Sequence, residues 1–299
     1  MILNGVTIED TFAEAFPMRA TRIVITADTL RWARTAAEAM TGFATSVIAC
    51  GCEAGVEREL APEETPDGRV GVAVLLFAMG DQDLAKQLVT RVGQCVLTCI
   101  GTACFSGLDG DGKAPLGKSL RFFGDGFQSS KRLAGRRYWR IPVMEGEFLV
   151  EETAGVTGAV GGGNFLMLCT SGTVARAAAE AAVAAMRRLP NIVLPFPGGA
   201  VRSGSKIGSR YKGLIASTND AYCPTLRAQT MQSALPPEVE SVVEIVIDGL
   251  SEADVAAATA AGVRAACAIG RSNGVVAISA GNYGGKLGPY HFHLRQVLQ

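Results

Sequence analysis

Histidine is almost missing: the 299 residues hold two, His291 and His293. A Ser-His-Asp or Cys-His hydrolase needs an imidazole base beside its nucleophile, so that chemistry has almost no base to draw on. At i, i+2 the two imidazoles share a strand face, as metal-binding pairs do, but no carboxylate or cysteine cluster lies near them in sequence. A packed or solvated pair is the simpler reading, and no metal site is expected. CxxC pairs are missing too. The eight cysteines run as Cys50-Gly-Cys52, Cys95-x3-Cys99-x4-Cys104, Cys169, Cys223 and Cys267, which fits buried free thiols better than zinc or iron–sulfur ligation. Neither sign of charge is in excess, with 28 Lys plus Arg against 28 Asp plus Glu. That argues against a nucleic-acid binder working through bulk positive charge. The longest apolar run, 70–79, is broken by Gly71 and too short to span a bilayer. The opening MILNGVTIEDTF has no basic segment and no long apolar stretch, so it does not read as a signal peptide, and a soluble, cytoplasmic protein with reduced thiols is expected. A true phosphate loop is also lacking. Residues 199–206, GAVRSGSK, come near G-x4-G-K-[ST], but the last two residues stand in the wrong order and no acidic metal-holding strand is identifiable.

What is there is core and glycine. At 48% hydrophobic residues and a mean hydropathy of +0.24, the chain can bury one large or two medium domains. Its 36 glycines predict many tight turns or close backbone approaches. Residues 22–26 read as a strand, 29–40 as a helix capped by Asp28, and 45–49 as a second strand. Residues 70–78 read as a buried strand, Asp81 opens a helix ended by Gly93, and 95–98 read as the next strand. Hairpins follow over 119–152, expected to join two lobes. The pattern then returns, with a strand at 164–168, an Ala-rich helix at 173–187 and a strand at 191–194. After a long loop come a strand at 242–248, a helix opened by the Ser251/Asp254 capping box, and strands at 275–279 and 290–294. The order β-α-β, β-α-β thus occurs twice. The expected class is α+β: two ferredoxin-like, split β-α-β lobes with antiparallel sheets, related as an internal repeat. The lobes are placed at 1–150 and 151–299, with a ligand cleft expected between them.

Two features carry candidate chemistry. The loop 195–225, PFPGGAVRSGSKIGSRYKGLIASTNDAYCPT, is too polar for a plain linker. Ser205 and Lys206 suit an anionic group on a substrate, and Asn219, Asp220 and Tyr222 add an amide, a carboxylate and a phenol. A surface excursion with solvated Lys and Arg stands beside that reading. Glu244 interrupts an otherwise apolar strand. On a buried face, desolvation raises its pKa to suit a general acid or base; on a half-exposed edge face it is merely solvated.

Several stretches together go beyond patterning: NGVTIEDTFAEAF at 4–16, EETPDGR at 63–69, RVGQCVLT at 91–98, FFGDGF at 122–127, IPVMEGEFLVEE at 141–152, PFPGG at 195–199, ASTNDAYCPT at 216–225, EIVIDGL at 244–250 and SAGNYGGKLG at 279–288. In this order the chain resembles the formylmethanofuran–tetrahydromethanopterin formyltransferase family from end to end. The resemblance implies formyl transfer between the amine of methanofuran and a ring amine of tetrahydromethanopterin, with both carriers as substrates and no permanently bound cofactor or metal. It implies two ferredoxin-like lobes and a homo-oligomer, a tetramer. It assigns acid/base work to the carboxylate matching Glu244. Beyond that, Asn219, Asp220 and Tyr222 are candidates to hydrogen-bond the pterin or the formyl oxygen, Ser205 and Lys206 to hold anionic substrate groups, and Gln94, Thr98 and Phe123 to complete the cleft wall, with turn capping or packing the alternative for each. The neutral, Ala- and Arg-rich composition is similar to the bacterial form found in one-carbon oxidising organisms. That form works in a formyltransferase/hydrolase complex with an amidohydrolase-like subunit, with neither nucleic acid nor membrane as partner. Two other readings compete: a scaffold subunit that has lost activity, against which Glu244 and the 216–225 loop speak, and a formyl hydrolase, against which the scarcity of His speaks.

Overall fold

The computed structural model describes residues 1–230 and 232–299. The chain forms two compact units, Met18–Ala159 and Met1–Pro17 with Val160–Gln299. These are not cut at 150/151. The first 17 residues belong with the C-terminal unit because the backbone stitches them there. Val6–Ile8 pairs in parallel with Val275–Ser279, through Thr7 with Ala277 and Ile8 with Ile278. Phe12 to Ala15 pair antiparallel with Tyr290–His293.

The Met18–Ala159 unit holds the later part of β1 (Phe12–Thr26), then α1 (Leu30–Thr41), β2 (Glu53–Leu60), β3 (Gly71–Ala78), α2 (Asp81–Arg91) and β4 (Ala103–Ser106). β4 pairs with β1, β1 with β3 and β3 with β2, all antiparallel. This is the ferredoxin-like order. Ala33, Ala36, Ala37 and Met40 of α1 and Leu84 and Leu88 of α2 pack on Ile23, Ile25, Val72, Val74 and Leu76, so both helices cover one face. All eight residues of β3 are buried, which is why its sequence is continuously apolar rather than alternating. Three hairpin strands follow, β5 (Ser129–Leu133), β6 (Arg136–Val143) and β7 (Gly146–Glu151). β5 and β6 turn through Ala134 and Gly135, with φ of 48° and 80°, the left-handed pair that suits a two-residue hairpin loop.

Local expectations fail at three places here. Asp28 does not cap α1; Thr29 holds that position without a side-chain bond, and Asp28 accepts from Arg69 Nη1 at 3.0 Å. A charge-assisted pair outcompetes a cap. Residues 45–49 are not a strand. Ser46 caps a single helical turn, Val47–Cys50, and Glu53 Oε1 accepts from the Val47 N–H at 3.1 Å. Residues 95–98 are not one either. The helix runs on as a π turn, Val92–Val96, because Leu84, Leu88, Val92 and Val96 recur every four residues into one core.

The second unit repeats the frame with the later part of β8 (Thr153–Cys169), then α3 (Gly172–Met186), β9 (Ile192–Val193), β10 (Ser241–Gly249), α4 (Glu252–Ile269) and β11 (Val275–Ser279), followed by β12 (Tyr290–His293). β11 pairs with β8, β8 with β10 and β10 with β9, again antiparallel and in the same order. Ser251 caps α4, its Oγ accepting from Asp254 N–H at 3.1 Å. The Ala-rich faces of α3 and α4 let the helices approach closely. A Cβ on Gly262 would sit 2.5 Å from Met186 Sδ and 2.9 Å from Phe165 Cζ. Within the repeated frame, the large departure from the first repeat is the connection between β9 and β10. It runs over 194–240 and carries a two-strand hairpin, Lys206–Ile207 with Ala216–Ser217, and short 3₁₀ turns. Its Leu235, Val239 and Tyr222 pack on Leu166, Leu168, Val242, Val276 and Ala277, the sheet face opposite the helices.

Candidate active site

Glu244 lies in mid-sheet. Its backbone is opposite Leu166 on β8, and on its other side it exchanges bonds with Val201, Val201 N–H to Glu244 O at 2.7 Å and Glu244 N–H to Val201 O at 2.9 Å. It is therefore not on an edge strand. Ile245 and Ile247 point into the helix-covered core, so period-2 alternation sends Glu244 to the opposite face, beneath the long loop. There it lines a cavity of about 140 Å³ with Leu166, Val201, Arg202, Ser203, Gly204, Asn219, Tyr222, Cys223, Pro224, Thr225 and Val242. Among the described residues no donor reaches its carboxylate. Burial alone raises its pKa from 4.5 to about 7. A carboxyl titrating near neutrality, half-buried and beside open volume, can take and return a proton without a metal or an imidazole.

Of the residues read from the sequence, Glu244, Asn219 and Tyr222 come together in this cavity. Burial raises the Tyr222 phenol pKa, and its hydroxyl bonds Ser279 Oγ at 3.0 Å. Lys206 and Asp220 pair with each other instead of lining the cavity, and Asp220 Oδ2 also accepts from Thr230 Oγ1 at 3.2 Å. That network fastens the loop. Ser205 is exposed outside the lining. Gln94, Thr98 and Phe123 belong to the Met18–Ala159 unit, all exposed; Thr98 Oγ1 donates to Gln94 O at 2.7 Å. Arg202, unmarked by the sequence reading, and Ser203, one of the loop's hydroxyl donors, line both this cavity and a larger one of about 700 Å³ against α3, with Arg176, Val183, Arg187 and Phe196. The RS dipeptide inside the glycine-rich stretch was the available signal.

A second structural carboxylate shapes the surroundings. Glu14 is 1% exposed, yet among the described residues no cation pairs with it. Its Oε2 accepts from the N–H groups of Tyr283 and Gly285 at 2.7 and 2.8 Å, and its Oε1 from those of Leu287 and Gly288 at 2.6 and 2.7 Å. Burial pushes its pKa up, but four backbone donors outweigh that and bring it down to about 2. The 281–288 loop is thereby wrapped around one side chain. It carries Tyr283, whose phenol pKa is raised by burial and by the nearby Glu244 and Glu14 charges. Sequence reasoning missed Glu14 because the apolar pattern marks the first strand only over 22–26, whereas the strand runs over Phe12–Thr26. His291 and His293 flank Phe12, with ring centroids at 4.8 and 5.1 Å, and His291 Nε2 bonds Gly288 O at 3.0 Å.

Comparison with known proteins agrees over the whole chain. The profile of formylmethanofuran-tetrahydromethanopterin formyltransferase matches residues 1–143, and that of the enzyme's proximal lobe matches residues 146–297. The chain is 67% identical over 298 residues to the formylmethanofuran–tetrahydromethanopterin formyltransferase of Methylococcus capsulatus, covering 100% of both. It is similar to the formyltransferase/hydrolase complex of Methylorubrum extorquens solved with methylofuran, at a TM-score of 0.97 and 56% identity over 100% of this chain and 99% of that one. It is also similar to the formyltransferase of Methanosarcina barkeri, at a TM-score of 0.93 and 48% identity over 99% of this chain and 100% of that one. Twin ferredoxin-like frames, an isolated carboxylate under an inserted loop and these end-to-end matches have one explanation: the chain belongs to the formylmethanofuran-tetrahydromethanopterin formyltransferase family.

Proposed function

We propose that the chain moves a formyl group between tetrahydromethanopterin and a methanofuran-type carrier, with Glu244 as the proton shuttle. The observation that carries the mechanism is the isolated Glu244 carboxyl, raised to about 7 beside a small cavity. An amine nitrogen attacks the formyl carbon, and the carbonyl electrons move onto oxygen. Glu244 takes the proton from the attacking nitrogen and gives it to the leaving nitrogen, the C–N bond breaks, and the carbonyl re-forms. No protein nucleophile and no permanently bound cofactor enters that balance. Arg202 brings positive charge to the cavity wall, and Asn219 offers an amide to the reacting groups. Gln94, Thr98, Phe123, Ser205, Lys206, Asp220 and Tyr222 stay as proposed carrier contacts, Lys206 and Asp220 through the loop they fasten.

The chain works as a homo-oligomer, a tetramer, beside other subunits of a formyltransferase/hydrolase complex, including an amidohydrolase-like one. The Methylorubrum extorquens structure supports that setting. The cytoplasm is its proposed place; among the described residues no helix is long and apolar enough to cross a membrane. The test mixes the chain with formyl-tetrahydromethanopterin, with and without methanofuran, and follows the pterin absorbance. Turnover that depends on methanofuran is expected. Formate release without acceptor makes the chain a hydrolase, and no reaction makes it a scaffold.

A further inference from the structure

The 281–288 loop, GNYGGKLG, is ordered by side-chain bonds and not by a helix or strand. Half of its residues are glycine, the residue that loses most freedom when fixed. At its start the buried Asn164 brackets Gly281: Gly281 N–H donates to Asn164 Oδ1 at 2.6 Å, and Asn164 Nδ2 donates to Gly281 O at 3.1 Å. Further on, Glu14 accepts from the N–H groups of Tyr283, Gly285, Leu287 and Gly288. A Cβ on Gly288 would sit 2.2 Å from Ala15 O, so the loop needs glycine to close on that carboxylate. The strand registers place the loop. On β8, Leu166 lies opposite Glu244 of β10 on one side and Ser279 of β11 on the other, and Asn164 lies opposite Val246. Asn164, Leu166 and Glu244 therefore share one sheet face, and the chain runs from Ser279 directly into the bracketed Gly281. Ser279 is two strand spacings, about 10 Å, from Glu244 along the backbone ladder. Tyr283 packs on Phe16 with 6.1 Å between ring centroids, and the Glu244 charge acts on its phenol. The other polar and titratable groups about Glu244 come from the 194–240 loop: Arg202, Asn219, Tyr222 and Cys223; β8 supplies the uncharged Leu166.

We propose that Asn164 and Glu14 are positioning residues for the formyl transfer: they hold the 281–288 loop so that Tyr283 shields Glu244 from solvent on the β11 side. The inference rests on the reading of Glu244 as proton shuttle. The 194–240 loop covers that carboxyl from the side of β10 and Val201. A glycine-rich loop on the other side, left free, would let water in. Bracketed at Gly281 and fastened at four N–H groups, it presents one ring in a fixed place, which is the preorganisation a dehydrated acid/base group requires. Neither Asn164 nor Glu14 meets the reacting atoms; both act through Tyr283.

The test follows Glu244 in the full chain, with any co-purifying subunits, by two readouts. One is an infrared titration of the protonated-carboxyl band, assigned by its loss in Glu244→Gln. The other is the pH–rate limb. Both midpoints are at about 7 in wild type. Asn164→Ala changes no charge and is expected to lower both by about one pH unit, because water reaching the carboxylate favours its charged form. Tyr283→Ala is expected to do the same. The double variant should shift no further than Tyr283→Ala alone, since Asn164 acts only through that ring. Glu14→Gln should shift the midpoints too, but it also removes a nearby charge, so the neutral Asn164→Ala arm decides between a released loop and an altered field. An Asn164→Ala enzyme that melts lower yet keeps its midpoints at about 7 makes the loop merely structural and overturns the proposal. Shifts that add in the double variant, or a shift confined to Glu14→Gln, overturn it as well. If Asn164→Ala does not fold, Asn282→Ala takes its place in the cycle, freeing the loop from Thr11 and the Phe12 carbonyl. Failure of the proton-shuttle reading shows separately: Glu244→Gln then keeps normal turnover, and the infrared midpoints still test the loop.

Discussion

Glu244→Gln is expected to make the protein more stable and less active, with both effects appearing over the same pH interval. The carboxyl titrates at about 7 in the fold against 4.5 when exposed, because burial disfavours its charge. Below about pH 4.5 the group is neutral in both states and contributes nothing unfavourable. As pH rises from 4.5 through 7 the unfolded chain releases this proton first, so folding stability falls, and above 7 the loss is complete. The difference of about 2.5 pH units corresponds to about 3 kcal/mol at 1.36 kcal/mol per unit. Glutamine has nearly the same shape and no charge to desolvate. In urea melts the variant should match wild type near pH 4 and exceed it by up to about 3 kcal/mol at pH 8. Glu14 does not confuse the comparison, since its pKa is about 2 and it stays charged throughout. Turnover in the direction that needs Glu244 as base should rise with pH through about 7 in wild type. It should fall by a factor of about a hundred in the variant, the scale of a lost general base. A stability difference that does not change between pH 4 and 8, or a wild-type rate flat across pH 7, refutes the buried-carboxyl reasoning.

Glu14 has the opposite sign. Its pKa is lowered from 4.5 to about 2, so its stabilisation is present above pH 4.5 and lost as pH falls toward 2. That acid-limb loss, about 3 kcal/mol, should disappear in Glu14→Gln melts, and the variant should be less stable at neutral pH because an amide cannot accept all four N–H groups. Gly262→Ala should destabilise by about 1–3 kcal/mol, because the added methyl meets Met186 Sδ at 2.5 Å and Phe165 behind it; thermal melts without loss reject that packing. Tyr283→Ala should lower the pH at which the rate limb falls, by opening Glu244 to water, whereas Tyr283→Phe should leave the limb near its wild-type position; equal shifts in both would show that the phenol, not the ring, acts on Glu244.

The frame was legible where one local rule operated. The buried run of β3, the Ser251 cap, the Ala faces of α3 and α4 and the position of Glu244 in a strand all follow from periodicity and composition. The misread segments are those where a tertiary partner overrode a local preference. Arg69 took Asp28 from its cap, Glu53 fixed a helical turn at β-branched residues 47–48, and the four-residue recurrence through Val96 continued a helix past Gly93. The unit boundary was illegible for the same reason, since residues 1–17 join the C-terminal unit by strand pairing that spans the whole chain. Of the residues that line the cavity, Glu244, Asn219 and Tyr222 are candidates by residue type alone. Arg202 is not, because its place at the cavity depends on how the 194–240 loop folds over β10.

The internal repeat supplies its own control on whether Glu244 serves the fold. β3 and β10 occupy the same place in the two ferredoxin-like frames, each between the first strand of its unit and the second. On β3 the positions facing away from the helices are Ala73, Leu75 and Phe77, each no more than 1% exposed. That face is closed by apolar groups including Leu60, Phe105 and Leu149. On β10 the corresponding face shows Val242, Glu244 and Val246, covered by a long insertion that leaves a cavity. β3 therefore closes without an acid of its own, and the buried carboxylate beside it on that face, Glu57 of β2, is neutralised by Arg22 at 2.6 Å. A lone acid in mid-sheet costs about 3 kcal/mol at neutral pH by the reckoning above, and among the described residues no ion pair or hydrogen bond offsets it. A fold-stabilising role predicts an apolar residue here, as in the sister strand; a proton-transfer role predicts a group held near neutrality beside open volume. On the proposed reading the insertion and the acid are parts of one device: the loop excludes water to set the pKa, and the space beneath it is where the substrate amine would meet that carboxyl.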